Sequence, residues 1–164
     1  MLRSLLSLTI LCPVANLLAG ENNQNWQDLF ADKLTAFKAP HDGWQMVGAV
    51  NLDEKNPRKL VGSEGAGVWY NGPKGNARNL FTAAKFGDLE VSLDFLMSKG
   101  SNSGIKFHGH YEIQIADSFG KKSVKGSDCG GIYPRAELKP SYHSIDDGIA
   151  PRVNACKAPG EWQT

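Results

Sequence analysis

The sequence has no dominant charge and no run of like charge. Eighteen Lys and Arg stand against seventeen Asp and Glu in 164 residues, a formal net charge of +1. Nothing therefore calls for a nucleic-acid backbone or an anionic membrane as partner. Beyond the first twenty residues there is no apolar stretch long enough to span a bilayer and no convincing segment of helical period. Internal repeats and low-complexity tracts are absent as well. What is present fits one soluble globular domain: hydrophobic residues make up 41% and charged residues 21%, too apolar for a disordered chain.

Met1-Leu-Arg3 is a short positive start, Leu5 to Leu18 is mostly apolar, and Leu18-Ala-Gly20 supplies small residues. This is the pattern of a cleaved leader over residues 1–20 and implies a secreted or periplasmic protein with no membrane contact after cleavage. The competing reading is a buried N-terminal helix. Of three cysteines, Cys12 would leave with the leader. Cys129 and Cys156 remain as a candidate disulfide in an oxidising compartment, with two buried thiols as the alternative.

The remainder, residues 21–164, reads as short strands broken by Gly, Pro and Asn turns. Trp44 to Gly48 and Ala49 to Leu52 form an expected strand pair, with a turn at Asn56-Pro57-Arg58. Gly65 to Tyr70 closes on a hairpin signal at Asn71-Gly72. The cleanest alternation is Leu89 to Leu96, and Pro134 to Ala150 reads as a long irregular excursion. The class is all-β, a sandwich or jelly roll.

The densest chemistry lies in Ser101 to Asp117. Lys106, His108, Glu112 and Gln114 share one parity; Ile105, Phe107, Ile113 and Ile115 share the other. A period of two buries the apolar set and leaves the polar set as a working face. Gly109-His110 marks a turn or a bulge between two strands or within one bent strand. His108-Gly-His110-Tyr-Glu112 makes a divalent metal ion a candidate cofactor; otherwise these histidines are plain polar groups. Asp117 is either a site carboxylate or a turn cap.

Four motifs occur in order: Asn102-Ser-Gly-Ile105, Tyr111-Glu-Ile-Gln-Ile-Ala-Asp-Ser118, Asp128-Cys-Gly-Gly-Ile-Tyr133 and Asn154-Ala-Cys-Lys-Ala-Pro-Gly-Glu-Trp-Gln163. Together with Trp26-Gln-Asp-Leu-Phe30 and Phe86 to Val91, they resemble the 3-keto-disaccharide hydrolase domain family over about residues 26–164. That resemblance implies a concanavalin A-like lectin/glucanase jelly roll. Family members continue past Gly-Glu-Trp-Gln, so an incomplete jelly roll lacking C-terminal strands is expected here.

The resemblance also implies a carbohydrate substrate bearing a ketone at C3. The ketone acidifies the C2 proton, so a base can remove it and the C1 substituent leaves by elimination. Hydration then completes a net hydrolysis. Such a site needs a base, a group to hold the enolate oxygen, and an acid. Expected catalytic residues are Glu112 as the central acid/base, His108 and Lys106 at the oxyanion, and Asp117. Gln114, His110, Asn102 and Tyr111 are expected to bind substrate. Two alternatives use the same face: a laminarinase-type retaining glycoside hydrolase, or a non-catalytic carbohydrate-binding module.

Overall fold

The computed structural model describes residues 6–9, 26–137 and 139–164. Nine strands are assigned: β1 (Leu6–Thr9), β2 (Gln45–Asp53), β3 (Asn56–Tyr70), β4 (Asp94–Met97), β5 (Asn102–Phe107), β6 (Tyr111–Ala116), β7 (Ala136–Glu137), β8 (His143–Ser144) and β9 (Trp162–Gln163). Among the described residues the only helix is one 3-10 turn, Asp32–Leu34. The all-β expectation therefore holds, and the strands stack as a β-sandwich requires.

One sheet runs in the order β2-β3-β1-β4-β9; β5 pairs with β6, and β7 with β8. The expected pair within residues 44–52 is a single strand, β2, hydrogen-bonded antiparallel along a long β3. Their turn lies at Glu54-Lys55 rather than at Asn56-Pro57-Arg58. Asp53 Oδ1 accepts from the N–H groups of Lys55 (2.8 Å) and Asn56 (2.9 Å), a side-chain-capped turn that starts the return strand three residues early. The ladder shifts register at Gly48. A Cβ on Gly48 would sit 2.5 Å from the Glu64 carbonyl oxygen, so the bulge requires glycine there. The Asn71-Gly72 signal ends β3 in a turn but starts no hairpin: residues 81–83 pair with residues 36–38 instead, and no strand follows until β4.

Lack of a partner shortens the cleanest alternation of the sequence. Only Asp94 to Leu96 of the expected strand from Leu89 to Leu96 is paired, within β4; Leu89 and Val91 are each 44% exposed. Alternation makes a segment able to be a strand, but a ladder needs a neighbour.

Of the expected leader, all but Leu6–Thr9 lies outside the described residues. Those four residues form a strand rather than the helix of the competing reading, and it fills the slot between β3 and β4. Ser7 and Leu8 pair with Tyr70 and Trp69, and all four pair with Asp94 to Met97. A cleaved leader and this strand exclude one another in the same molecule. Cys12 also falls outside the described residues.

Apolar side chains collect on both faces of the large sheet. One face carries Val50, Leu60, Val68, Tyr70 and Leu96, and the Tyr70 hydroxyl donates to the Leu60 carbonyl at 2.6 Å. On the other face, Phe95 and Met97 pack against Ile105 and Ile115 of the β5–β6 hairpin, which makes the second layer. Trp69 closes the end with Leu34 and Phe37, whereas Trp26 is 47% exposed.

Cys129 and Cys156 join the second cluster as free thiols, so the expected bridge is not formed. The neighbouring Cys129 thiol brings Cys156 down to about 6, and Cys156 in turn pushes Cys129 up. The loop beside them is locked by Asp128, which is 4% exposed. Its carboxylate accepts from Lys121 Nζ at 2.5 Å and from the Lys125 N–H at 2.9 Å. Burial alone would raise the Asp128 pKa, but these hydrogen bonds and the lysine charges outweigh it and hold it below the usual carboxylate range.

Two outcomes follow for stability. Leu96→Ala should cost about 2–5 kcal/mol in urea denaturation, whereas Leu89→Ala, in the same alternating run, should stay within about 0.5 kcal/mol. A depressed folded pKa means that Asp128 stabilises fully above its unfolded value of about 3.9, and this contribution is lost as pH falls through the lower folded value. Asp128→Asn should therefore lower the melting temperature at pH 7 and flatten its fall between about pH 4 and pH 2.

Candidate functional site

The β5–β6 hairpin turns at Phe107-His108-Gly109-His110, where the His110 N–H donates to the Phe107 carbonyl at 3.0 Å. His108 (φ 52°) and Gly109 (φ 71°) are both left-handed, and with His110 they make the three-residue loop between Phe107 and its partner Tyr111. The stretch is thus two neighbouring strands with a register set by that turn: Lys106 opposite Glu112, Gly104 opposite Gln114, Asn102 opposite Ala116.

This register sorts the expected site residues. Asn102, Lys106, Glu112 and Gln114 share one face. Lys106 Nζ lies 3.3 Å from Glu112 Oε2, with the lysine 64% and the glutamate 24% exposed. Gln114 is only 2% exposed and its Nε2 donates to Asn102 Oδ1, while its Oε1 has no partner among the described residues. Gln114 is therefore a buried anchor of the face rather than an open sugar contact.

The others are not brought there. His108 and His110 sit in the exposed turn, not on the strand face, because the turn interrupts the alternation that seemed to align them. Among the described residues no three His, Cys, Asp or Glu side chains converge as a metal site, so the His108-Gly-His110-Tyr-Glu112 pattern does not fit a metal. Asp117 is committed to backbone: its Oδ2 accepts from the Gly100 N–H at 2.7 Å and its Oδ1 from the Phe119 N–H at 3.2 Å. It is the turn cap. Tyr111 precedes Glu112, so it points to the opposite face, where it is 54% exposed.

Two features of the face come from elsewhere. Residues 130–133 run along the free edge of β6: the Gln114 N–H donates to the Gly131 carbonyl and the Tyr133 N–H to the Glu112 carbonyl, each at 2.8 Å. The Ile113–Ile132 bridge then puts Tyr133 directly opposite Glu112, on the same face. Burial pushes the Tyr133 phenol up, and the neighbouring Tyr142 and the Glu112 carboxylate push it further. The second feature is Gly104. A Cβ there would collide with Oε1, Cγ and Cδ of Glu112, so the missing side chain makes the space in which that carboxylate lies. Tyr133 ends a motif visible in the sequence, and Gly104 is inside another, but only the pairing of residues 130–133 with β6 shows what they serve.

The last motif is scaffold. Asn154 Nδ2 donates to the carbonyls of Ser118 (2.7 Å) and Lys121 (3.0 Å), and its Oδ1 accepts from the Ser118 hydroxyl. The Lys157 N–H donates to Gln163 Oε1, and Trp162 and Gln163 pair with β4 as β9. A hollow of about 410 Å³ lies on the far face of the large sheet, lined by Gly48, Val50, Val68, Asp94 and Trp162 among others. It is apolar in character and holds one carboxylate, which accepts from the Thr164 hydroxyl, so it offers no comparable chemistry.

No curated protein and no solved structure matches the sequence. Residues 25–164 match the 3-keto-alpha-glucoside-1,2-lyase-like domain family, a carbohydrate-acting family, across the loop, hairpin and scaffold segments described above. With most of its length in that match, and with the family's ordered motifs building one polar face and its support, the chain belongs to the 3-keto-alpha-glucoside-1,2-lyase-like domain family.

Proposed function

We propose that the protein cleaves 3-keto-glycosides, 3-keto-disaccharides among them, by removing the C2 proton, eliminating the C1 substituent and then hydrating the product. The observation that carries this reading is the Lys106–Glu112 pair, a carboxylate beside a cation on an accessible strand face. Glu112 is the base at C2. Once substrate displaces the ion pair, Lys106 is free to hold the negative charge that develops on the C3 oxygen. Family membership supports the substrate class.

The two-carboxylate retaining mechanism fits less well. It needs a second carboxylate about 5–5.5 Å from the first, across the sugar. Asp117 has the opposite strand parity and spends both oxygens on backbone N–H groups. Action outside the cytoplasm belongs to the same proposal; it rests on the leader-like composition of residues 1–20 and requires that β1 leave with the leader.

Product release from trehalose and from its 3-keto derivative tests the reaction. Release is expected only from the keto sugar, unchanged by a chelator, and reduced about 10²–10⁴-fold in Glu112→Gln. Cleavage of the unoxidised sugar would point to the glycosidase. Saturable binding without turnover would leave a carbohydrate-binding module. Gly104→Ala is expected to fold, since the flexible Glu112 side chain can swing away from the new methyl, and to lose about 10–100-fold in kcat.

A further inference from the structure

The reaction above also needs an acid for the departing C1 oxygen, and the other titratable residues expected at the site are elsewhere. His108 and His110 are in the turn, and Asp117 caps backbone. Across the three adjacent strand segments, however, Lys106, Glu112 and Tyr133 stand opposite one another in one row. Neighbouring strands lie about 4.8 Å apart, so the three side chains leave the sheet side by side on a single face. Tyr133 is half-buried and its phenol neighbours that of Tyr142, which is 62% exposed.

A 3-keto-glycoside presents its reacting positions in matching order: the leaving oxygen on C1, the acidic hydrogen on C2, the ketone oxygen on C3. We propose that Tyr133 is the general acid, with the sugar lying along the row so that C3 meets Lys106, C2 meets Glu112 and the C1 oxygen meets Tyr133. This assignment rests on the keto-sugar reading of the site and deepens it.

Glu112 takes the C2 proton, and the C–H electrons become the enolate double bond between C2 and C3, with the charge on the C3 oxygen beside Lys106. As that oxygen regains its carbonyl, the C2–C3 pair moves to C1–C2 and the C1–O bond breaks. The departing oxygen takes the phenolic proton of Tyr133. The products are the unsaturated ketone and a neutral alcohol. The phenolate regains a proton from solvent through Tyr142, and Glu112 returns its own to solvent, so no proton is gained or lost over the cycle. Burial and the nearby Glu112 charge keep the Tyr133 phenol protonated at neutral pH, as a donor must be.

The test compares the full chain with Tyr133→Phe on two 3-keto-glucosides, one with an alkyl leaving group and one with 4-nitrophenol. A poor leaving group needs the acid and a good one does not. Tyr133→Phe should therefore lose about 10²–10⁴-fold in kcat/KM on the alkyl glycoside and less than about tenfold on the nitrophenyl one. In deuterated water it should still exchange the C2 hydrogen, which Glu112→Gln should not. Turnover of the nitrophenyl substrate by the variant shows that it has folded. If Tyr133→Phe does not fold, Tyr142→Phe must show a weaker loss with the same leaving-group dependence; equal rates on both substrates would overturn the assignment. A wild type that is active, with Tyr133→Phe slowed equally on both substrates or on neither, overturns the assignment alone. A wild type that leaves both keto sugars intact overturns the assignment together with the reading beneath it.

Discussion

Hydrogen bonds leave both edges of β6, to β5 on one side and to residues 130–133 on the other, and the polar face follows from that double register. A slip of one residue against β5 would turn Glu112 into the core and bring Ile113 out, and a slip on the outer edge would turn Tyr133 away from Glu112. Magnitudes show what holds the arrangement. Each backbone bond contributes about 0.5–1.5 kcal/mol net, and several act together. The half-exposed Lys106–Glu112 pair adds about 0–1 kcal/mol at most. The ladder places the ion pair, so the pair is free to open for a substrate without loosening the hairpin.

Support for the outer edge comes from the loops behind it. Residues 130–133 are tethered just upstream, where Asp128 gathers Lys121 and the Lys125 backbone, and where Cys129 packs against Cys156. Asn154 ties the same region to Ser118 and Lys121 through three hydrogen bonds. A carboxylate as buried as Asp128 persists as a charge only because those donors surround it. The motif residues around 128 and 154 thus act at a distance: they hold the segment that carries Tyr133 and do not face the sugar.

The large sheet shows the same dependence of local structure on partners. β4 keeps its strand because β1 and β9 supply ladders on its two sides, while residues 89–92, with a better alternation, have no strand neighbour and stay exposed. Removing residues 6–9 would strip β3 and β4 of the ladder between them and leave two open edges in the middle of the sheet.

The amino-acid sequence by itself determined what each short segment can be: the all-β class, the turn between β5 and β6, the parity that groups Lys106 with Glu112, and the ordered motifs of the family. These are local properties, set by side-chain period and by the φ values that Gly tolerates. Local pattern misled where a turn intervened, as at His108, and where one residue type serves two ends, as at Asp117. Only the tertiary structure decided that residues 130–133 lie beside β6, that Tyr133 faces Glu112, that Gln114 is buried, and that Cys129 meets Cys156 as a thiol. Those are pairings between segments distant along the chain. They depend on which edge finds which partner, a competition that no window of sequence contains.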